Sequence, residues 1–315
     1  MRLLGVGLSG INIFCAMMDL GPGLSKSGYY SILHTIHIAV KSVAKVLFRK
    51  AAQEEKKENE QEGNIADEIT VSGDGSWEKR GFTSLLGIVS LIGKYSNKVI
   101  DVIVKSKVCK ACEKWVGKEN TDEYLEWYKD HQTECTANHE GSSGKMEVDG
   151  VIEMFRRSVE ELGVKYKKYI GDGDSKTDKN LLEANIYNND PKVEKNERRN
   201  TQNNNEAFNN CVWSFAPKHI FVGQKTLEIA AFTAACIFNE GFFPVLKILE
   251  VMDVTLGPCA VAFSKSYNKS RIAKAENATA MSSKEARKSR RADKVAENDA
   301  YEEDEGILYA PGIDD

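Results

Sequence analysis

Two stretches far apart in the chain carry the same design, and together they constrain the fold more than any other feature. The first is Ile69-Thr70-Val71-Ser72-Gly73-Asp74-Gly75-Ser76-Trp77. Ile69 and Val71 alternate with polar residues, as in a half-buried strand, and Gly73-Asp74-Gly75 then reads as a turn. The second runs from Val164 through Tyr169-Ile170 into Gly171-Asp172-Gly173-Asp174. Laid side by side, two such strands bring Asp74 and Asp172 together. Facing carboxylates repel unless a cation lies between them, so the pair suits Mg²⁺ or Mn²⁺. Asp-Gly is also ordinary turn chemistry, and spacing alone leaves the plain turn reading open.

The 315 residues suffice for one large domain or two small ones. A formal net charge of −4 excludes a uniformly basic nucleic-acid coat, so any nucleic-acid contact must come from local patches. Seven cysteines, three of them clustered, do not form a secreted disulfide framework; they point to a reducing compartment with one metal site. The apolar run Ile229 to Phe238 is too short to cross a bilayer, and no membrane partner is expected. The opening residues to Met18 imitate a signal peptide but carry Asn12 and no clear cleavage site, and they read as a helix of the folded protein.

Read in order, residues 1–62 form an N-terminal helical region. Its long helix starts near Ser27, has Ile32, Ile36, Val40, Val43 and Leu47 at helical spacing, and ends in a solvated charged stretch, 53–60. His34 and His37 lie on it as structural residues. Residues 63–108 read as an antiparallel meander of three strands: the opening strand, Phe82 to Ile92, and Lys98 to Val104. Residues 109–145 are a polar, cysteine-bearing insertion. Residues 146–190 supply a helix from about Val148 to Leu162, the strand ending at Ile170, and a short helix near Lys176 to Asn185. The class is α/β, and three antiparallel strands, a helix and a parallel strand match the first part of an RNase H-like core. Residues 188–205 read as a loop, with Asn205 as a helix cap that places Glu206 in a first turn. Residues 191–263 form a junction and a C-terminal helical region, with one helix from Thr226 to Val251 bent at Gly241 and Pro244. Residues 264–315 are a charged tail with a basic run (Lys284 to Lys294) and an acidic run (Glu302 to Glu305).

Within the insertion, Cys109-Lys110-Ala111-Cys112 is followed by Cys135-Thr136-Ala137-Asn138-His139. A C-x-x-C turn presents two thiolates from one knuckle, and C-x3-H adds a third sulfur and a nitrogen for tetrahedral Zn²⁺. His131 is the alternative fourth ligand. Four protein ligands make the site closed and structural, and binding would fold an insertion with little apolar core.

With these residues in order, the chain resembles a Mutator-like transposase domain of the animal type. The resemblance rests on Ser72-Gly73-Asp74-Gly75-Ser76-Trp77 and on the Cys/His insertion. It continues through Asn138-His139-Glu140-Gly141-Ser142-Ser143-Gly144-Lys145-Met146-Glu147, Tyr169-Ile170-Gly171-Asp172-Gly173-Asp174-Ser175-Lys176-Thr177 and Asn203-Asn204-Asn205-Glu206-Ala207-Phe208-Asn209. It covers most of residues 1–263. It implies an RNase H-like core with a DDE triad of Asp74, Asp172 and Glu206, Asp174 competing for the second position. These acids would hold Mg²⁺ or Mn²⁺ for cleavage and strand transfer on DNA, in a nuclear protein that acts as a multimer. One departure stands out. A further strand with a Cys-x-x-His pattern and a sizeable helical insertion are expected before the glutamate, and here Pro191 to Asn200 leads almost directly to Thr201. Set against the resemblance, this departure implies an internally deleted copy or a faulty gene model. A non-catalytic, zinc-containing DNA- or protein-binding derivative is the alternative.

Overall fold

The computed structural model describes residues 6–79, 84–171, 175–187, 192–195 and 199–282. The chain divides into two units, Met1–Gly257 and Pro258–Asp315.

The first unit is built on a mixed sheet of five strands among the described residues, in the order β3-β2-β1-β4-β5. These are β1 (Glu68–Trp77), β2 (Leu86–Gly93), β3 (Val99–Ser106), β4 (Lys165–Gly171) and β5 (Lys192–Lys195). β1, β2 and β3 pair antiparallel, as the alternation and short connections predict; β4 pairs parallel to β1, and β5 parallel to β4. Every residue of β2 and β3 is buried, which explains their nearly continuous apolar runs.

Two expectations for the sheet need correction. β1 does not turn at Gly73-Asp74-Gly75: pairing with β2 continues from Val71 to Trp77, so Asp74 lies inside the strand. The glycines answer a packing demand instead. A Cβ on Gly73 would stand 2.4 Å from the Tyr169 ring, and one on Gly75 would stand 2.7 Å from Glu147 Oε2. The stretch 188–205, read as a loop, contains β5, so the outer edge of β4 is paired.

Helices cover both faces. On one lies α4 (Ser143–Leu162), started by the Ser142 side chain and stopped by Gly163 in the left-handed region. Its Arg157 grips Asp101 of β3 with Nε–Oδ2 at 3.0 Å and Nη2–Oδ1 at 2.5 Å. Burial pushes the Asp101 carboxyl up to about 6, with Arg157 opposing that rise. α5 (Ser175–Glu183) packs on α4. On the other face lie α6 (Arg199–Phe215) and α7 (Gln224–Glu240). α7 is separated from α8 (Phe243–Val251) by Gly241 at φ +75°. The expected bend is thus a complete break between two helices, because only glycine takes that backbone angle cheaply. α6 begins well before Asn205, so Asn205 and Glu206 sit inside a helix rather than at its start.

α1 (Leu8–Met17) is short, and α2 (Lys26–Gln61) runs for 36 residues. One window of α2 is long and apolar enough to cross a membrane by length and composition. In this fold it lies against α7, where Ala44, Ala51, Ala52, Ala231 and Ala235 are all buried and let the helices approach closely. Its charged end is not simply solvated. Glu55 is fully buried and accepts the backbone N–H groups of Tyr95 and Ser96 at 3.1 and 2.8 Å, capping the β2–β3 turn. Asn59 donates to the carbonyls of Ile65 and Glu68, fixing the entry to β1. The C-terminal half of α2 therefore closes the end of the sheet where β1 and β4 begin. Glu55→Ala would strand two amide donors, each costing about 1–3 kcal/mol when left unpaired. A urea midpoint lowered with unchanged slope is the expected result.

The second unit contributes α9 (Pro258–Ser282), where an exposed charged tail was expected from residue 264. The basic and acidic runs beyond it lie outside the described residues.

Candidate active site and metal centre

The Asp74 side of β1 is built by a register match between strand and helix. Ser72, Asp74 and Ser76 alternate onto one face of β1. Asn205, Asn209 and Trp213 recur every four residues along α6. Four helical residues advance about 6 Å and two strand residues about 6.8 Å, so the two rows meet rung for rung. Asn205 Nδ2 donates to Ser72 Oγ at 2.9 Å, Asn209 Nδ2 to Asp74 Oδ2 at 2.7 Å, and Trp213 Nε1 to Ser76 Oγ at 2.8 Å. Each rung is worth about 1 kcal/mol net. Asn205 and Asn209 are 2% and 8% exposed, whereas Glu206, on the same turn, is exposed.

β4 reaches the same end of the sheet. Its Ile170 pairs with Ser72, two residues before Asp74. Asp172 and Asp174, one and three residues past the end of β4, lie outside the described residues.

The cysteine centre forms at the end of β3. Cys109, Cys112, His131 and Cys135 each offer one ligand atom, and all four atoms lie within 4.8 Å of one another. Cys112 Sγ and Cys135 Sγ are 3.6 Å apart, and Cys109 Sγ and His131 Nε2 are 3.3 Å apart. The sulfur edge of a zinc tetrahedron with bonds near 2.3 Å is about 3.8 Å, so the donor set fits Zn²⁺. Burial raises the Cys109 thiol, but hydrogen bonds from the Thr136 side chain and from nearby backbone amides outweigh it and bring Cys109 down to about 5. Cys112 moves the other way, to about 12, through burial and the neighbouring Cys135 and Cys109 sulfurs. A divalent ion removes that mutual repulsion.

The residue that completes the cluster with the three cysteines is His131 rather than His139. His131 closes α3 (Asp122–His131), stacked on Trp127 with ring centroids 4.4 Å apart. His139 is drawn away because its own amide and that of Asn138 are tied to the Ser106 carbonyl at 3.1 and 2.9 Å. Its buried ring packs against α4, with Nε2 3.1 Å from the Ser142 carbonyl and Nδ1 3.1 Å from Asp149 Oδ2. His131→Ala should therefore weaken zinc binding by at least about tenfold. His139→Ala should keep the metal and lower the melting temperature, as read by metal analysis beside thermal melts. Of the two histidines on α2, His37 ties α2 to α7, with Nε2 2.5 Å from Glu228 Oε2, whereas His34 is exposed.

Residues 1–200 match the family of Mutator-like transposases. The chain belongs to that family. No curated protein matches it, and no solved structure does. The matched part of this Mutator-like transposase domain holds Asp74, Asp172 and the cysteine centre. Glu206 and the rungs of α6 fall just beyond it. The missed residues were Asn205, Asn209 and Trp213. Their spacing of four was visible in the sequence, but an asparagine-rich run reads first as a loop and cap.

Proposed function

We propose that this Mutator-like transposase domain has an RNase H-like core that carries out divalent-metal-dependent cleavage and strand transfer on DNA. The observation that carries the proposal is the parallel pairing of β1 and β4, with Ser72 beside Ile170, in a chain of the transposase family. Asp74 and Asp172 are read as the two aspartates, with Asp174 as the competitor for the second position, and Glu206 as the glutamate. Bound Mg²⁺ or Mn²⁺ would supply Lewis acidity and an activated oxygen nucleophile at the phosphodiester. The chain's own part is to hold the carboxylates in place. Zn²⁺ on Cys109, Cys112, His131 and Cys135 is structural in this reading. DNA is the partner, a multimer the working form and the nucleus the compartment. The test is nicking and strand transfer of DNA by the full chain with Mg²⁺ or Mn²⁺ and with EDTA. Activity equal in EDTA would defeat the reading.

A second reading has its own observation. β5 ends at Lys195 and α6 begins at Arg199, leaving three residues where the resemblance implies a helical insertion. This favours an internally deleted copy that keeps the zinc-containing fold and binds DNA or protein without cleaving. Salt-sensitive DNA binding with no metal-dependent cleavage would select it.

A further inference from the structure

Asn209 is placed where a turn-and-cap reading gives it no task. It is 8% exposed, and its Nδ2 donates to Asp74 Oδ2 at 2.7 Å. Its Oδ1 is buried and has no hydrogen-bond partner among the described residues. A buried amide oxygen left without a donor costs free energy, so its retention beside a carboxylate calls for a physical reason.

The rung next to it supplies the comparison. Asn205 also has a buried Oδ1 without a partner among the described residues, but its Nδ2 meets the hydroxyl of Ser72. A hydroxyl donates or accepts, so either side of the Asn205 amide can serve Ser72. An ionised carboxylate only accepts. Asp74 therefore dictates how Asn209 lies: the amide nitrogen faces the carboxylate and the oxygen is left over. Turning the amide would set oxygen against oxygen, unless a cation stood between them. Hard divalent cations take both carboxylate and amide carbonyl oxygens as ligands.

We infer that Asn209 is a positioning residue for Asp74 and that its amide oxygen takes part in holding the divalent cation, directly or through a water on it. The inference rests on the reading of Asp74 as a metal-holding carboxylate. In the metal-free protein the amide nitrogen holds Asp74 in place. When the ion binds, the amide oxygen gains the partner it lacks. Because Asn209 and Glu206 share one helix, the same rung fixes the register of α6 on β1, and with it the position from which Glu206 projects.

The test is a Mn²⁺ titration of the zinc-loaded full chain, followed by the electron paramagnetic resonance signal of free Mn²⁺. Melting temperatures without Mn²⁺ are recorded beside it. Asn209→Ala is expected to weaken Mn²⁺ binding by at least about tenfold. Asn205→Ala is expected to lower the metal-free melting temperature while leaving Mn²⁺ affinity within a factor of about two, since it touches only a neutral hydroxyl. Wild-type affinity in Asn209→Ala, with Asp74→Asn defective, overturns the inference and leaves the reading of Asp74 standing. Wild-type affinity in Asp74→Asn overturns that reading and the inference with it. Should Asn209→Ala fail to fold, Asn209→Asp decides. A second carboxylate at the ion is expected to tighten Mn²⁺ binding several-fold, and unchanged or weaker binding overturns the inference.

Discussion

Asp74→Asn is expected to remove metal-dependent DNA cleavage while leaving the protein folded. The substitution keeps an oxygen at the position that accepts from Asn209 Nδ2, 2.7 Å away in the native chain, so the rung between β1 and α6 survives. It removes the negative charge that a divalent ion needs. A metal-holding carboxylate acts as part of a unit, and its loss is expected to lower turnover by at least about 10³-fold. Two readouts separate this from damage to the fold. The metal-free melting temperature should stay close to wild type, and the rise in melting temperature on adding Mn²⁺ should disappear. Cleavage at the wild-type rate by Asp74→Asn would remove Asp74 from the catalytic set. Asp74→Ala is a harsher change, because it also strands the amide of Asn209.

Stripping zinc is expected to unfold the insertion selectively. α3 has no buried residue, and the ring stack of Trp115, Tyr124, Trp127, Tyr128 and His131 is only partly covered. Such a segment has too little apolar burial to offset the entropy of ordering it. Zinc bound by four protein ligands would supply an apparent ~10–16 kcal/mol at neutral pH toward that cost. Chelation, or Cys112→Ser, should expose residues 107–142 to proteolysis and shift tryptophan emission to the red, since two of the four tryptophans sit in the stack. The sheet should persist, because Asn138 and Ser106 tie the insertion to β3 only at its base. The pH dependence follows from Cys109, held near 5 instead of its ordinary 9. A depressed thiol contributes fully above 9, and its contribution is lost as pH falls through about 5. Zinc binding needs all three thiolates and a neutral His131, so retention is expected to fail on acidification as protons compete for them. An insertion equally protected from protease with and without chelator would refute the structural role.

Much of the sheet was legible because its strands obey local rules. Ile88, Val89, Leu91 and Ile92 form a buried run, Val99 to Val104 forms another, and short connections left a meander as the simplest pairing. The helix over 148–162 announced itself by its apolar stripe, and Ser142 with Gly163 then set its true ends. The candidate site was legible only in part. The cysteine spacing pointed to three candidate ligands and left the fourth between His139 and His131. That choice depended on the Ser106 carbonyl, which accepts from the amides of residues 138 and 139 and draws His139 away from the cysteines. Gly73 and Gly75 looked like turn residues, and no local rule could show that Tyr169 and Glu147 occupy the space of their missing side chains.

The sequence by itself determined most of the long helices and the meander strands, the family, and the cysteine chemistry of the candidate metal centre, because periodicity and cysteine spacing act over a few residues. Tertiary structure alone decided that Glu55 caps a distant turn and that His131 joins the cysteines. It also decided that Asn205, Asn209 and Trp213 meet Ser72, Asp74 and Ser76. Those choices depend on which polar groups face one another after the chain has folded, across separations of 22 residues for Cys109 and His131, 41 for Glu55 and Ser96, and 135 for Asp74 and Asn209.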